Sequence, residues 1–183
     1  QAFEKLGIKK FHLHFSQQQQ NNLFDRFETG KISDENFINE MKVLLPYCTK
    51  KEIINAWNAL LIGIPQENIQ LLKDLSRKYR LFLLSNTNSI HIKQINKLLY
   101  KDYNLKNLEP LFDKLYLSYQ IGMRKPNVET FEWVLKDAGI FAQETLFIED
   151  SIQHIEGANK VGMRTQFWKS NESFKGFFLD KSL

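Results

Sequence analysis

The stretch 145-TLFIEDSIQHIEGANKVGMRT-165 decides the fold. It opens with the apolar run Leu146, Phe147 and Ile148, too short for a helix of its own and right for a buried strand. It then sets two carboxylates side by side, Glu149 and Asp150, and passes straight into a helical pattern that runs to Val161. Gly162 falls where a helix C-cap belongs, and 164-RTQFW-168 reads as the next strand. Buried strands do not normally end in two adjacent negative charges, so these two residues need a partner.

The same texture extends upstream. A helix from Glu67 to Lys78, with Ile69, Leu72 and Leu75 on one side, leads to the strand 80-RLFLLS-85. The loop Asn86-Thr87-Asn88 and a helix from Ser89 to about Tyr100 follow, then the strand 114-KLYLS-118. The loop 119-YQIGMRKP-126 leads to a helix from Asn127 to Ala138, ended by Gly139. Short apolar strands alternating with helices predict a parallel sheet covered on both faces.

The first 65 residues read differently, as helices alone. A Gln/Asn-rich helix after Ser16 carries Leu23, Phe24 and Phe27 and ends at Gly30; its QQQQNN tract takes the solvent face. Ser33 caps a second helix with Asp34 and Glu35 in its first turn and Phe37, Met41, Leu44 and Leu45 inward, stopped by Pro46. Thr49 and Glu52 fit a capping box that opens a third, with Ile53, Trp57, Leu60 and Leu61. The expected organisation is a helical cap over 1–65 and an α/β core over 66–183.

Ligands of open parallel sheets bind beyond the carboxyl ends of the strands. Those ends here are Ser85-Asn86-Thr87, Ser118 with the loop to Lys125, and Glu149-Asp150. Oxygen ligands at a strand end suit Mg2+, which takes few protein ligands and completes its shell with water and phosphate. Lys125 can neutralise a phosphate and the carboxylates together. Ser85, Asn86 and Thr87 offer hydroxyl, amide and backbone N–H donors. Each residue alone also has an ordinary reading: Asp150 as a helix N-cap, Lys125 as a surface lysine before a helix-starting proline, the Ser/Asn run as a turn. Three such sites on successive strand ends make the joint case. Of the histidines, His12 and His14 read as structural or surface residues, His91 as an exposed helix residue, and His154 as a neighbour of the acidic pair, within reach of a substrate contact. Trp57, Trp133 and Trp168 fit core or interface positions.

Bulk properties narrow the class. The chain has 183 residues, 43% of them hydrophobic, with 15 Phe, enough for a packed core. A net charge of +4 spread over scattered Lys and Arg argues against a nucleic-acid surface. The single cysteine, Cys48, forms no internal disulfide and suits a reducing compartment. No apolar run approaches a membrane span, and QAFEKLGIKKF lacks the continuous apolar stretch of a signal peptide, so the expected location is cytoplasmic.

LLSNTN (83–88), SYQIGMRKPNVETF (118–131) and LFIEDSIQHIEGANKVGM (146–163) resemble the second, third and fourth motifs of the haloacid dehalogenase-like hydrolase superfamily. Within it they look most like the helical-cap phosphatases and mutases, glucose-1-phosphatase-like and β-phosphoglucomutase-like. The resemblance implies a Rossmann-like core with a small α-helical cap, and a Mg2+-dependent phosphatase of small phosphorylated metabolites, with sugar phosphates the expected class. It implies that Ser85, helped by Asn86, hydrogen-bonds the transferring phosphoryl group, that Lys125 stabilises its charge and orients the nucleophile, and that Glu149 and above all Asp150 hold the metal. The family's first motif, a strand ending in the nucleophilic aspartate, has no counterpart here; Asp25 and Asp34 lie on helices. That strand belongs between those ending at Ser85 and Glu149. The expectation is that it precedes residue 1, or that a partner or second copy supplies a strand in trans. A nucleophile-free pseudoenzyme, a 2-haloacid dehalogenase and a phosphomutase are the alternatives on the same fold.

Overall fold

The structure, a computed structural model, describes residues 2–7, 22–169, 176 and 178. The expectations for Ser16, the QQQQNN tract, His12 and His14 lie outside the described residues. In chain order the elements are α1 (Ala2–Lys5), α2 (Asn22–Glu28), α3 (Asp34–Leu44), α4 (Lys50–Asn58), α5 (Gln66–Leu75), β1 (Phe82–Ser85), α6 (Ser89–Tyr103), β2 (Lys114–Leu117), α7 (Ser118–Ile121), α8 (Val128–Ala138), β3 (Leu146–Glu149), α9 (Ile152–Lys160) and β4 (Arg164–Phe167). No described helix is long and apolar enough to cross a membrane.

The helix starts follow from local chemistry. Ser33 Oγ accepts the Asn36 N–H at 3.2 Å, and Thr49 and Glu52 form the reciprocal capping box, with the Glu52 carboxylate taking the Thr49 N–H at 2.7 Å. Asn88 caps α6 by accepting the His91 N–H at 3.0 Å. Three expectations are corrected. The third helix stops at Asn58: the Ala59 and Leu61 N–H groups bond three residues back, the last turn tightens, and Leu60 is left exposed. The residue preceding α9 is Ser151, so Asp150 is not its N-cap. The loop after β2 begins as the one-turn helix α7, closed by Gly122 in the left-handed region.

The chain divides into two compact units. The first comprises the described residues of Gln1–Gly63, Asn86–Pro110 and Leu117–Gly122. Its core is aromatic: Phe24, Phe27, Phe37 and Trp57 are buried with Ile53, Met41 and Ile90. The Phe27 and Phe37 rings stack at 4.1 Å and those of Phe24 and Trp57 at 5.4 Å, which joins α2, α3 and α4. Burying each such ring is worth about 2 kcal/mol or more in transfer terms. Arg26 of α2 adds a two-pronged bond to Glu40 of α3 at 2.7 and 2.6 Å. His91, expected exposed, is buried here against Trp57.

The second unit comprises the described residues of Ile64–Ser85, Leu111–Tyr116 and Met123–Leu183. β3 and β4 pair in parallel, Leu146 opposite Arg164 through Glu149 opposite Phe167, with α9 as the crossover. Phe131, Ala158 and Met163 form a buried cluster against which Leu84 of β1 and Phe147 of β3 pack. Trp133, expected in a core or interface, is partly exposed and meets Tyr116 edge-on. Among the described residues the strands form two pairs, β1 with β2 and β3 with β4, rather than one sheet.

Candidate active site

The candidate residues fall in both units. In the second, β3 carries Glu149 to its carboxyl end, where pairing with β4 fixes the backbone: the Trp168 N–H donates to the Glu149 carbonyl at 2.9 Å. Lys125 precedes Pro126 through a cis peptide bond. The carbonyl just before it, that of Arg124, accepts from the buried Thr130 hydroxyl at 2.9 Å and from the Asn127 N–H at 3.2 Å. Two strand-to-helix connections 24 residues apart thus bring Lys125 and Glu149 together.

They form an ion pair. Lys125 Nζ donates to Glu149 Oε2, and the two side chains are only 8% and 11% exposed. The ammonium also lies 5.5 Å from the centre of the Phe147 ring. Glu149 Oε1 accepts the Asp150 backbone N–H at 3.1 Å. Nδ1 of His154, in the first turn of α9, stands 3.2 Å from the same Oε2. Burial pushes the Glu149 carboxyl up, but His154, Lys125 and Asp150 pull it down by more, and it sits well below the usual carboxylate range. Asp150 is exposed and goes the other way. Partial burial and then its negative neighbour Glu149 raise it. The two adjacent carboxyls are therefore pushed in opposite directions, Glu149 down and Asp150 up.

In the first unit, Thr87 is buried and clamped from both sides by Ser118. The Thr87 N–H donates to Ser118 Oγ at 2.9 Å, and Ser118 Oγ donates to the Thr87 carbonyl at 3.0 Å. The Thr87 N–H is thus already used and is not a free phosphate donor. Asn88 and His91, absent from the expected site, form a closed circuit with Trp57. Asn88 Oδ1 accepts from Trp57 Nε1 at 3.3 Å, Asn88 Nδ2 donates to His91 Nδ1 at 3.3 Å, and His91 Nε2 donates to the Trp57 carbonyl at 3.0 Å. Those partners fix the imidazole as its neutral Nε2–H form, and burial lowers its basicity. Asn86 sits at the start of this segment and Ser85 at the end of β1. Asp34 is occupied by Lys93 at 2.6 Å and by the Ser89 hydroxyl.

Oxygen donors at a strand end suit a hard cation. Among the described residues no group of three His, Cys, Asp or Glu converges as a metal cage; the two carboxylates at the end of β3 are those of Glu149 and Asp150.

A family model for haloacid dehalogenase-like hydrolases matches residues 8–167. A D-ribitol-5-phosphate phosphatase of Bacteroides thetaiotaomicron is 31% identical over 166 residues, which is 90% of this chain and 80% of that protein. Among solved structures, a haloacid dehalogenase family enzyme from the same organism, crystallised with magnesium and inorganic phosphate, superposes with a TM-score of 0.89 at 35% identity. It covers 97% of this chain and 88% of its own. A haloacid dehalogenase-like hydrolase of Porphyromonas gingivalis gives a TM-score of 0.87 at 27% identity, over 99% of this chain and 87% of its own. The chain belongs to the haloacid dehalogenase-like hydrolase family. The α/β core with helical cap expected from the sequence is the fold of these neighbours.

Proposed function

We propose that this chain is a Mg2+-dependent phosphatase of small phosphorylated metabolites, with polyol and sugar phosphates as the substrate class. The observation that carries the reading is the buried Lys125–Glu149 pair next to the exposed Asp150, in a chain 31% identical over 166 residues to a D-ribitol-5-phosphate phosphatase.

A phosphate monoester and water give an alcohol and inorganic phosphate. Lys125 offers its charge to the phosphoryl oxygens, held in place by Glu149. Ser85 and Asn86 hydrogen-bond the phosphoryl group. Thr87 shapes that turn through its bonds to Ser118 rather than by donating to phosphate. Asp150, with Glu149 behind it, holds the metal. Bound Mg2+ would supply charge neutralisation at the transferring phosphoryl group. In this reading the covalent step uses an aspartate from sequence upstream of residue 1, as in the family pattern set out above.

The test is a substrate panel on the full-length protein with Mg2+: D-ribitol 5-phosphate, several sugar phosphates and an aryl phosphate for phosphate release, and a 2-haloacid for halide release. Phosphate release from the polyol or sugar esters without halide release is the expected result. Halide release, or no phosphate from any ester, would overturn the reading.

A further inference from the structure

His154 is buried, 5% exposed, yet neither of its ring nitrogens reaches hydrogen-bond geometry with an atom of the described residues. Glu149 Oε2 stands 3.2 Å from Nδ1, and the same oxygen also takes Lys125. A buried polar ring with poorly satisfied nitrogens costs stability, so packing alone would favour an apolar residue there.

One turn further along the same face of α9 lies Gly157. A Cβ on Gly157 would fall 2.5 Å from the Pro126 carbonyl oxygen and 2.8 Å from Phe131 Cε2. Pro126 follows Lys125 directly. Phe131 packs edge-on against Phe147 at 5.4 Å, and Lys125 Nζ lies over that Phe147 ring. The glycine therefore admits the backbone that carries Lys125, while the histidine reaches its counter-ion.

We propose that His154 and Gly157 are positioning residues, and that α9 sets the Lys125–Glu149 pair from both ends. His154 restricts the Glu149 carboxylate to the rotamer that holds Lys125. Gly157 fixes how closely the Lys125–Pro126 backbone approaches the helix. Neither needs to touch substrate. The kinetic part of this inference rests on the phosphatase reading; the positional part does not.

The experiment uses His154→Phe, His154→Gln and Gly157→Ala in the full-length protein. Three readouts are taken: thermal midpoint, kcat and KM for the best phosphate ester, and labelling of Lys125 by a limiting amine-reactive reagent, located by peptide mass spectrometry. His154→Phe is expected to melt no lower than wild type, to lose about 10- to 100-fold in kcat with little change in KM, and to label faster at Lys125. His154→Gln, which restores a donor, is expected to recover most of the kcat and the protection. Gly157→Ala, if folded, is expected to follow His154→Phe. Unchanged Lys125 protection in His154→Phe overturns the inference whatever the kinetics. If wild type releases no phosphate while Lys125 labels faster in His154→Phe, the positioning stands and the phosphatase reading falls.

Discussion

Lys125 and Glu149 make an ion pair with both side chains close to nine-tenths buried, and the pair joins the segment before α8 to the end of β3. Breaking one side of such a pair strands a charge in a poorly solvated place. Lys125→Met is therefore expected to destabilise the protein by about 3 kcal/mol, and Glu149→Gln by less, because the amide keeps a hydrogen-bonding group. In Lys125→Met/Glu149→Gln no charge of the pair is left buried, and much of the loss returns. Urea denaturation of the three variants checks this. A double variant as unstable as the sum of the single ones would mean the two residues act separately.

His91 gives the first unit a dependence on acid. Its folded basicity is lowered, mainly by burial, so the folded form prefers the neutral ring. Stability from this group is complete above the ordinary value of 6.5 and is lost as pH falls below it, because the unfolded chain gains a proton that the folded one refuses. Wild type is expected to lose denaturation free energy between pH 7.5 and 5.5 relative to His91→Gln, measured in parallel. Identical slopes would show that the ring is not held neutral.

Gly30 meets Tyr119 at the level of the backbone. Its φ is +69°, and a Cβ there would lie 2.2 Å from the Tyr119 carbonyl oxygen. Gly30→Ala faces left-handed strain of about 1 kcal/mol and a clash that no side chain can relieve. A loss of about 2 kcal/mol or more is expected in chemical denaturation. A loss of 1 kcal/mol or less would mean that the α2 end moves away from α7 without cost.

Local chemistry was legible and pairing at a distance was not. Ser33, Thr49 and Gly139 were read correctly because a cap is decided within a few residues. Leu60 was misplaced because the tightening of the last turn of α4 leaves no mark in an apolar spacing. His91 was read as exposed because a polar residue on a helix usually is. It begins a stripe with Ile95 and Leu99, but its partner Trp57 is 34 residues away. The acidic pair stood out in the sequence, whereas its division into an engaged Glu149 and an outward Asp150 depends on Lys125 and His154. The Thr87 N–H looked available because Ser118, its acceptor, lies 31 residues on.

The most direct test is a Mg2+ titration of phosphate release from D-ribitol 5-phosphate by the full-length protein, comparing wild type with Asp150→Asn, and with EDTA as the metal-free control. The account predicts release that needs Mg2+. It also predicts that Asp150→Asn shifts the half-saturating Mg2+ concentration upward by about 10-fold or more, with lowered turnover. Release that persists in EDTA, or an Asp150→Asn titration superimposable on wild type, would contradict it.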